Sequence, residues 1–155
     1  MSALRLAVIG AGVVGRSHSQ RIVEAPSCSL AGICDSDPKC RDMATEFNSG
    51  FYTNIEDLLQ REKPDGAIIA TPNASHGTLA SACLTRGVPV LVEKPISDTL
   101  DGAHDIVEAA DQAGAPVLVG HHRRHSTAIR QTKQLLDDRT IGNLVAVSLL
   151  WALKK

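Results

Sequence analysis

Strand-length apolar runs alternate with helix-length amphipathic segments along the chain, and this alternation restricts the fold more than any other feature. The first run, Leu4–Ile9, ends at glycines, and residues 13–25 then show helical spacing up to Pro26. Further strands are predicted at residues 29–34, 51–52, 66–70, 88–92, 116–119 and 143–150. Further helices are predicted at residues 38–48, 53–61, 75–86, 98–113 and 126–138. Regular strand–helix alternation predicts an α/β fold, a doubly wound parallel sheet with helices on both faces.

The composition supports this fold class and excludes several functions. Hydrophobic residues make up 43% of the 155-residue chain and aromatic residues only 3%, which favours a helix-covered parallel sheet over an aromatic-rich sandwich. The formal net charge of −1 offers no basic surface for nucleic acid or for anionic lipid. No apolar run approaches the ~20 residues of a membrane helix. We therefore expect no nucleic-acid partner and no membrane partner.

The cysteines indicate a reducing compartment. Cys28, Cys34, Cys40 and Cys83 show neither C-x-x-C spacing nor a zinc-ligand pattern. The N-terminal apolar stretch is interrupted by glycines, unlike a signal peptide. These features predict a cytoplasmic protein with reduced thiols and no metal.

A glycine motif follows the first predicted strand and opens the first helix. Gly10 permits a tight turn, Gly12 allows the backbone to approach a pyrophosphate, and Gly15 allows close packing of the helix on the strand. The pyrophosphate would bind the free N–H groups at the start of that helix, around Val13 and Val14. In this strand–helix context, G-x-G-x-x-G predicts a dinucleotide-binding site of the Rossmann type.

An acidic residue stands where a dinucleotide-binding domain needs one. Asp35 ends the second predicted strand, twenty positions after Gly15, where a carboxylate accepts hydrogen bonds from the adenosine ribose hydroxyls. A carboxylate also repels a 2′-phosphate, so NAD is favoured over NADP, although Lys39 and Arg41 lie nearby and could weaken the preference. The alternatives are a glycine-rich turn in an unrelated α/β protein and an S-adenosylmethionine-dependent methyltransferase.

Three later segments resemble one family. Residues 70–76 (ATPNASH), residues 92–95 (VEKP) and residues 120–124 (GHHRR) resemble motifs of the glucose–fructose oxidoreductase / inositol dehydrogenase / MocA family, in the expected order. The resemblance implies an NAD(P)-dependent dehydrogenase that transfers hydride between nicotinamide and a carbon of a sugar, polyol or related small molecule. It also implies a homo-oligomer for the full-length protein. A non-enzymatic NAD-binding sensor remains the alternative.

The resemblance also assigns roles to a pair of charged residues. Lys94 would contact the reacting hydroxyl or carbonyl as the catalytic residue, and Glu93 would help to bind the nicotinamide riboside. Because the pair ends an apolar strand, Lys94 is expected to be partly desolvated. The alternative is a solvated surface lysine. A cis bond before Pro95 would direct the chain into the cleft.

Residues after the fourth strand are the next candidates for cofactor contacts. Thr71, Pro72 and Asn73 lie at the carboxyl end of that strand, beyond the expected switch point. His76 would offer a polar group toward the cofactor, or else cap the following helix.

A cluster of basic residues follows the sixth strand. The cluster contains two adjacent arginines and no carboxylate, and its histidines are His121, His122 and His125. This composition disfavours a metal site and favours a polar or anionic ligand. Arg123 is the preferred cofactor or substrate contact. His18 and His104 lie within predicted helices and are expected to be packing or surface residues.

The chain divides into a complete domain and the beginning of another. Residues 1–120 are predicted to form the dinucleotide-binding domain, and residues 121–155 a connecting helix and the first strand of a truncated C-terminal α+β substrate domain. Members of the family are about twice this long, so the chain looks truncated. It has no counterpart of the family's acid/base histidine, and the cofactor domain is expected to bind cofactor with little turnover.

Overall fold

The computed structural model describes residues 3–148 and 150, which fall into two compact units, Met1–Gly120 and His121–Lys155. The strands of the first unit are β1 Leu4–Ile9, β2 Cys28–Cys34, β3 Gly50–Tyr52, β4 Gly66–Ile69, β5 Val90–Val92 and β6 Val117–Val119. Its helices are α1 Val13–Glu24, α2 Arg41–Glu46, α3 Ile55–Glu62, α4 His76–Leu84 and α5 Leu100–Ala113. None of the helices in the described residues is long and apolar enough to cross a membrane.

The six strands form one parallel sheet in the order β3-β2-β1-β4-β5-β6. The chain builds outward from β1 to β3 and then returns to place β4 on the other side of β1. The strand order therefore reverses between β1 and β4, and ligands bind beyond the carboxyl ends of strands at such a point. This sheet confirms the predicted doubly wound Rossmann fold.

The side chains of the central strand, β1, point alternately to the two faces of the sheet and contribute to a core on each face. Ala7 and Ile9 lie in the larger core, which α3, α4 and α5 cover, whereas Val8 packs with Ile22 of α1 on the opposite face. All of these side chains are buried. Because successive strand residues point to opposite faces, a short apolar run can fill two cores at once.

The buried face of α1 differs from the prediction. Spacing suggested that Val14, Ile22 and Val23 would face the sheet, but the buried residues of α1 are Gly15, Ser19 and Ile22. Val14 and Val23 are exposed. Gly15 must lie against the turn after β1, and this close approach rotates the helix so that its smallest side chains meet the strands.

Helix α1 begins at Val13 as predicted, but the later helices begin one to three residues after their predicted starts. A capping box beginning at Thr53 was the expected start of α3, but Asn54 is the N-cap and accepts a hydrogen bond from the backbone N–H of Glu56. The predicted second helix begins as a 3-10 turn, Pro38–Cys40, capped by Asp37. Short polar side chains compete for the N-cap position, so sequence alone leaves such boundaries open.

The second unit contains a 3-10 turn, His122–His125, and helix α6, Thr127–Asp137. The strand predicted at residues 143–150 is wrong for the residues that the structure describes, because residues 143–148 and 150 form none; the rest of residues 143–151 lies outside them. Val145 and Leu150 are exposed. A β-strand forms only when it can hydrogen-bond to a neighbouring strand, so an apolar segment without such a neighbour does not become a strand.

Two of the four free cysteines are part of the core and should resist alkylation. Burial, with a smaller contribution from Asp35, raises the pKa of Cys34 to about 11. Burial, with a smaller contribution from Glu56, raises the pKa of Cys83 to about 12. Because the thiolate is the nucleophile and the reagent must reach it, iodoacetamide at pH 8 should label the half-buried Cys28 and Cys40 and leave this pair unlabelled.

Tandem mass spectrometry of peptides cut after glutamate would locate the labelled thiols, with a urea-denatured sample as the control in which all four thiols react. Labelling of Cys34 or Cys83 in the native protein at a rate near that of Cys28 would contradict the burial described here.

Candidate cofactor site at the carboxyl edge of the sheet

The glycine loop is packed between β1, β4 and α1. Gly10 has a φ of +102°, and a Cβ there would lie 2.6 Å from the backbone of Ala70. A Cβ at Gly15 would lie 1.8 Å from the carbonyl oxygen of Gly10. Only glycine is compatible with both positions, because a positive φ and a backbone contact each exclude a side chain.

At Gly12, in contrast, the structure leaves room for a side chain. Within the described residues nothing lies within 4 Å of a Cβ built at this position, and its φ of −71° suits any residue. The space above Gly12 is therefore open for a ligand that approaches the backbone.

The N-terminus of α1 faces that open space. No side chain of the described residues caps it, and its first turn carries no acidic residue. Val13 at this terminus is 89% exposed. Free N–H groups and the positive end of the helix dipole make this position suitable for a phosphate.

Asp35 is fixed beside the glycine loop by two backbone hydrogen bonds. Its Oδ2 accepts from the N–H of Ala11 at 2.7 Å, and its Oδ1 accepts from the N–H of Asp37 at 2.9 Å. Each carboxylate oxygen has a second lone pair, so both remain able to accept from ribose hydroxyls. The guanidinium of Arg41, one of the two nearby cations, lies over the ring of Phe51, 5.1 Å from its centroid.

A cavity of about 410 Å³ lies next to Asp35 at the carboxyl ends of β1, β2, β3 and β4. Its volume falls in the range of about 300–1,000 Å³ that is typical of small-molecule sites. Its lining combines residues predicted from sequence with others that were not: Ile9, Cys34, Asp35, Ser36, Thr53, Asn54, Ile55, Thr71, Pro72, Ser75 and Leu79. Thr53 and Asn54 directly follow β3, so the rule that ligands bind beyond strand ends could have identified them.

His76 is a structural residue and not a surface contact for a ligand, so its predicted orientation toward the cofactor is wrong. The side chain is fully buried, with Nδ1 3.0 Å from the carbonyl oxygen of Pro95 and Nε2 2.9 Å from that of Thr71. Carbonyl oxygens only accept, so each contact is a hydrogen bond where the ring nitrogen concerned carries the proton. The ring joins the turn after β4 to the turn after β5.

Glu93 and Lys94 follow β5, and the bond between Lys94 and Pro95 is cis, as predicted. The expectation that Lys94 is partly desolvated is wrong for the described part of the chain, because its side chain is exposed. The strand ends at Val92, so Lys94 lies in the turn beyond the buried region.

His18 contacts Glu93, although the sequence predicted only a packing or surface role for it. Its Nε2 lies 2.9 Å from Oε1 of Glu93. No sequence signal connects two residues so far apart in the chain.

The remaining candidates are exposed. Asn73 begins a 3-10 turn before α4, and Arg123 lies in the 3-10 turn of the second unit. No group of three or more His, Cys, Asp or Glu side chains suited to a metal is found in residues 3–148 and 150.

Comparison with known proteins gives a consistent result. A family model described as "Oxidoreductase family, NAD-binding Rossmann fold" (GFO_IDH_MocA) matches residues 4–121. Inositol 2-dehydrogenase 4 of Saccharopolyspora erythraea is 31% identical over 143 residues, 90% of this chain and 42% of that protein. The rhizopine catabolism protein MocA of Rhizobium meliloti is 27% identical over 148 residues, 96% of this chain and 47% of that protein.

A solved structure agrees with the fold. An oxidoreductase from Agrobacterium radiobacter in complex with NAD+, L-tartaric acid and magnesium superposes with a TM-score of 0.86 at 27% identity, over 92% of this chain and 42% of that one. The chain spans less than half the length of the curated relatives it matches.

Proposed function

The chain belongs to the oxidoreductase family with the NAD-binding Rossmann fold, and we propose that it is the cofactor domain of an NAD-dependent dehydrogenase. The observation that carries the proposal is the junction of the glycine loop with Asp35, where the Ala11 N–H donates to the carboxylate at 2.7 Å. This contact holds the phosphate-binding backbone and the ribose-binding carboxylate as one unit.

The residues present fit a dinucleotide. The open space at Gly12 and the uncapped start of α1 suit the diphosphate, and the cavity beside Asp35 suits the adenosine. Thr71 and Pro72 line the same cavity and would contact the cofactor, with Asn73 beside them. Because the Asp35 carboxylate repels a 2′-phosphate and can accept from the ribose hydroxyls, we expect NAD to be preferred over NADP.

Bound NAD would supply a carbon that accepts or donates hydride. In this proposal the Lys94 ammonium, exposed beyond β5, donates a hydrogen bond to the substrate oxygen and stabilises negative charge that develops there. Glu93 would accept hydrogen bonds from the nicotinamide riboside, and Arg123 would contact cofactor or substrate.

The relatives suggest a substrate class. Inositol dehydrogenases are among them, so we propose a polyol, a sugar or a related hydroxy compound as the substrate. This chain covers only the cofactor-binding part of these proteins, and we propose that it binds cofactor with little turnover by itself. The four unpaired thiols fit a reducing, cytoplasmic setting.

Calorimetric titration of the 155-residue chain with NADH, NADPH and S-adenosylmethionine tests this proposal. NADH should bind most tightly. Asp35→Ala should weaken NADH binding by about tenfold, because about 1.4 kcal/mol, one charge-assisted hydrogen bond, corresponds to a factor of ten.

The ratio of the affinities for NADH and NADPH separates two effects of Asp35→Ala. Losing the Ala11 hydrogen bond loosens the glycine loop and weakens NADH and NADPH alike, whereas losing the carboxylate relieves repulsion of the 2′-phosphate only. The affinity ratio should therefore shift toward NADPH. Asp37→Ala is the matched control, because Asp37 caps the 3-10 turn at Lys39 without accepting from the glycine loop. Tight binding of S-adenosylmethionine, or no binding of NADH by folded protein, would refute the proposal.

A further inference from the structure

The contact between His18 and Glu93 connects the helix of the glycine loop to the turn after β5. The two side chains are 21% and 16% exposed, and 2.9 Å separates Nε2 of His18 from Oε1 of Glu93. An ionised carboxylate only accepts, so the imidazole is the donor and carries its proton on Nε2.

Two further contacts restrict the position of the Glu93 carboxylate. Its Oε2 accepts from the backbone N–H of Lys94 at 3.2 Å. A Cβ built at Gly120 would lie 3.0 Å from the carboxyl carbon and from both oxygens, so Gly120 packs directly against the group. The backbones on both sides are fixed as well, because Glu93 donates to Ile69 and Gly120 donates to Val92 at 2.9 and 2.8 Å.

We propose that His18 is a positioning residue that orients Glu93 toward the nicotinamide end of the dinucleotide. The inference rests on the function proposed above, in which the start of α1 binds the diphosphate and Glu93 binds the nicotinamide riboside. His18 lies on that same helix, five residues beyond Val13 or about 7.5 Å along its axis. One rigid element therefore sets both the diphosphate position and the Glu93 carboxylate position.

The expected consequence is a pre-organised carboxylate. A side chain held in its binding geometry before the ligand arrives loses less conformational freedom on binding. Without His18 the Oε1 side of the Glu93 carboxylate would have to be ordered by the cofactor itself. The effect should be confined to ligands that carry the nicotinamide riboside.

Two ligands distinguish this role from a general effect on the fold. ADP shares the adenosine and diphosphate of NADH and lacks the nicotinamide riboside. In calorimetric titrations of the 155-residue chain, His18→Ala should weaken NADH binding about fivefold to tenfold and leave ADP binding unchanged. His18→Gln, whose amide can donate to the carboxylate, should recover most of the loss.

Gly120→Ala provides an independent second variant, because its methyl group would crowd the Glu93 carboxylate from the other side. It should reproduce the selective loss of NADH affinity, and it decides the question if His18→Ala does not fold. His104→Ala, which removes an exposed histidine from α5, is the matched control and should bind both ligands as the wild type does.

The outcomes separate this inference from the function on which it rests. Wild-type protein that binds no NADH overturns both, before any variant is made. If wild-type protein binds NADH but His18→Ala and Gly120→Ala weaken NADH and ADP equally, or weaken neither, the positioning role is refuted and the proposed function stands.

Discussion

Gly15→Ala is expected to destabilise the protein by more than about 4 kcal/mol, which is a large share of the roughly 5–15 kcal/mol that stabilises a domain. The new Cβ would lie 1.8 Å from the carbonyl oxygen of Gly10, and a second backbone atom of Gly10 would be 2.9 Å away. Neither atom can rotate aside as a side chain does, so α1 must move away from β1. That movement also separates Ile22 from Val8 and opens the smaller core.

Thermal unfolding followed by circular dichroism measures this effect, and a decrease in Tm of roughly 10 °C or more is expected. A Gly15→Ala protein with the wild-type Tm would mean that α1 does not pack against the loop as described.

Gly12→Ala should largely retain the stability of the fold, unlike Gly15→Ala, but should bind the cofactor weakly. Nothing in the described residues lies within 4 Å of the added Cβ, so the only expected cost to the fold is that of alanine in place of glycine at an N-cap, about 1 kcal/mol. The methyl group would, however, occupy the space through which a diphosphate reaches the backbone. We expect NADH affinity to fall by at least about a hundredfold, or about 2.7 kcal/mol.

Urea unfolding and NADH titration of the same preparation test both halves of this prediction. A free energy of unfolding within about 1 kcal/mol of the wild type, together with lost NADH binding, would assign Gly12 to the ligand and Gly15 to the fold. If Gly12→Ala binds NADH as tightly as the wild type, the diphosphate does not approach this backbone, and the proposed cofactor site is wrong.

The fold and part of the site could be predicted because their signals are local. Apolar run lengths gave the strand–helix alternation, and the family match confirms the resemblance carried by the segments after β4, β5 and β6. The spacing of the glycine loop and Asp35 predicted that both belong to one dinucleotide site, and the structure adds a hydrogen bond from Ala11 that joins them. This junction was predictable because β1 and β2 are neighbours in both sequence and space.

The errors come from properties that depend on neighbours. A strand was predicted at residues 143–150 from apolar content alone, but residues 143–148 and 150 have no partner strand and adopt none. Lys94 was expected to be partly desolvated because it follows an apolar strand, yet the buried strand ends at Val92 and the lysine is exposed. The burial of a residue depends on which other parts of the chain pack against it, and local composition does not contain that information.

The sequence by itself therefore determined the parallel α/β class, the glycine loop and the position of Asp35 at a strand end. Only the tertiary structure decided the roles of the histidines: His76 joins the turns after β4 and β5, and His18 binds Glu93, 75 residues away in the chain. The physical reason is the strand order. Placing β4 beside β1 and β5 beside β4 brings α1 and the turn after β5 together, and no periodicity within either segment encodes that contact.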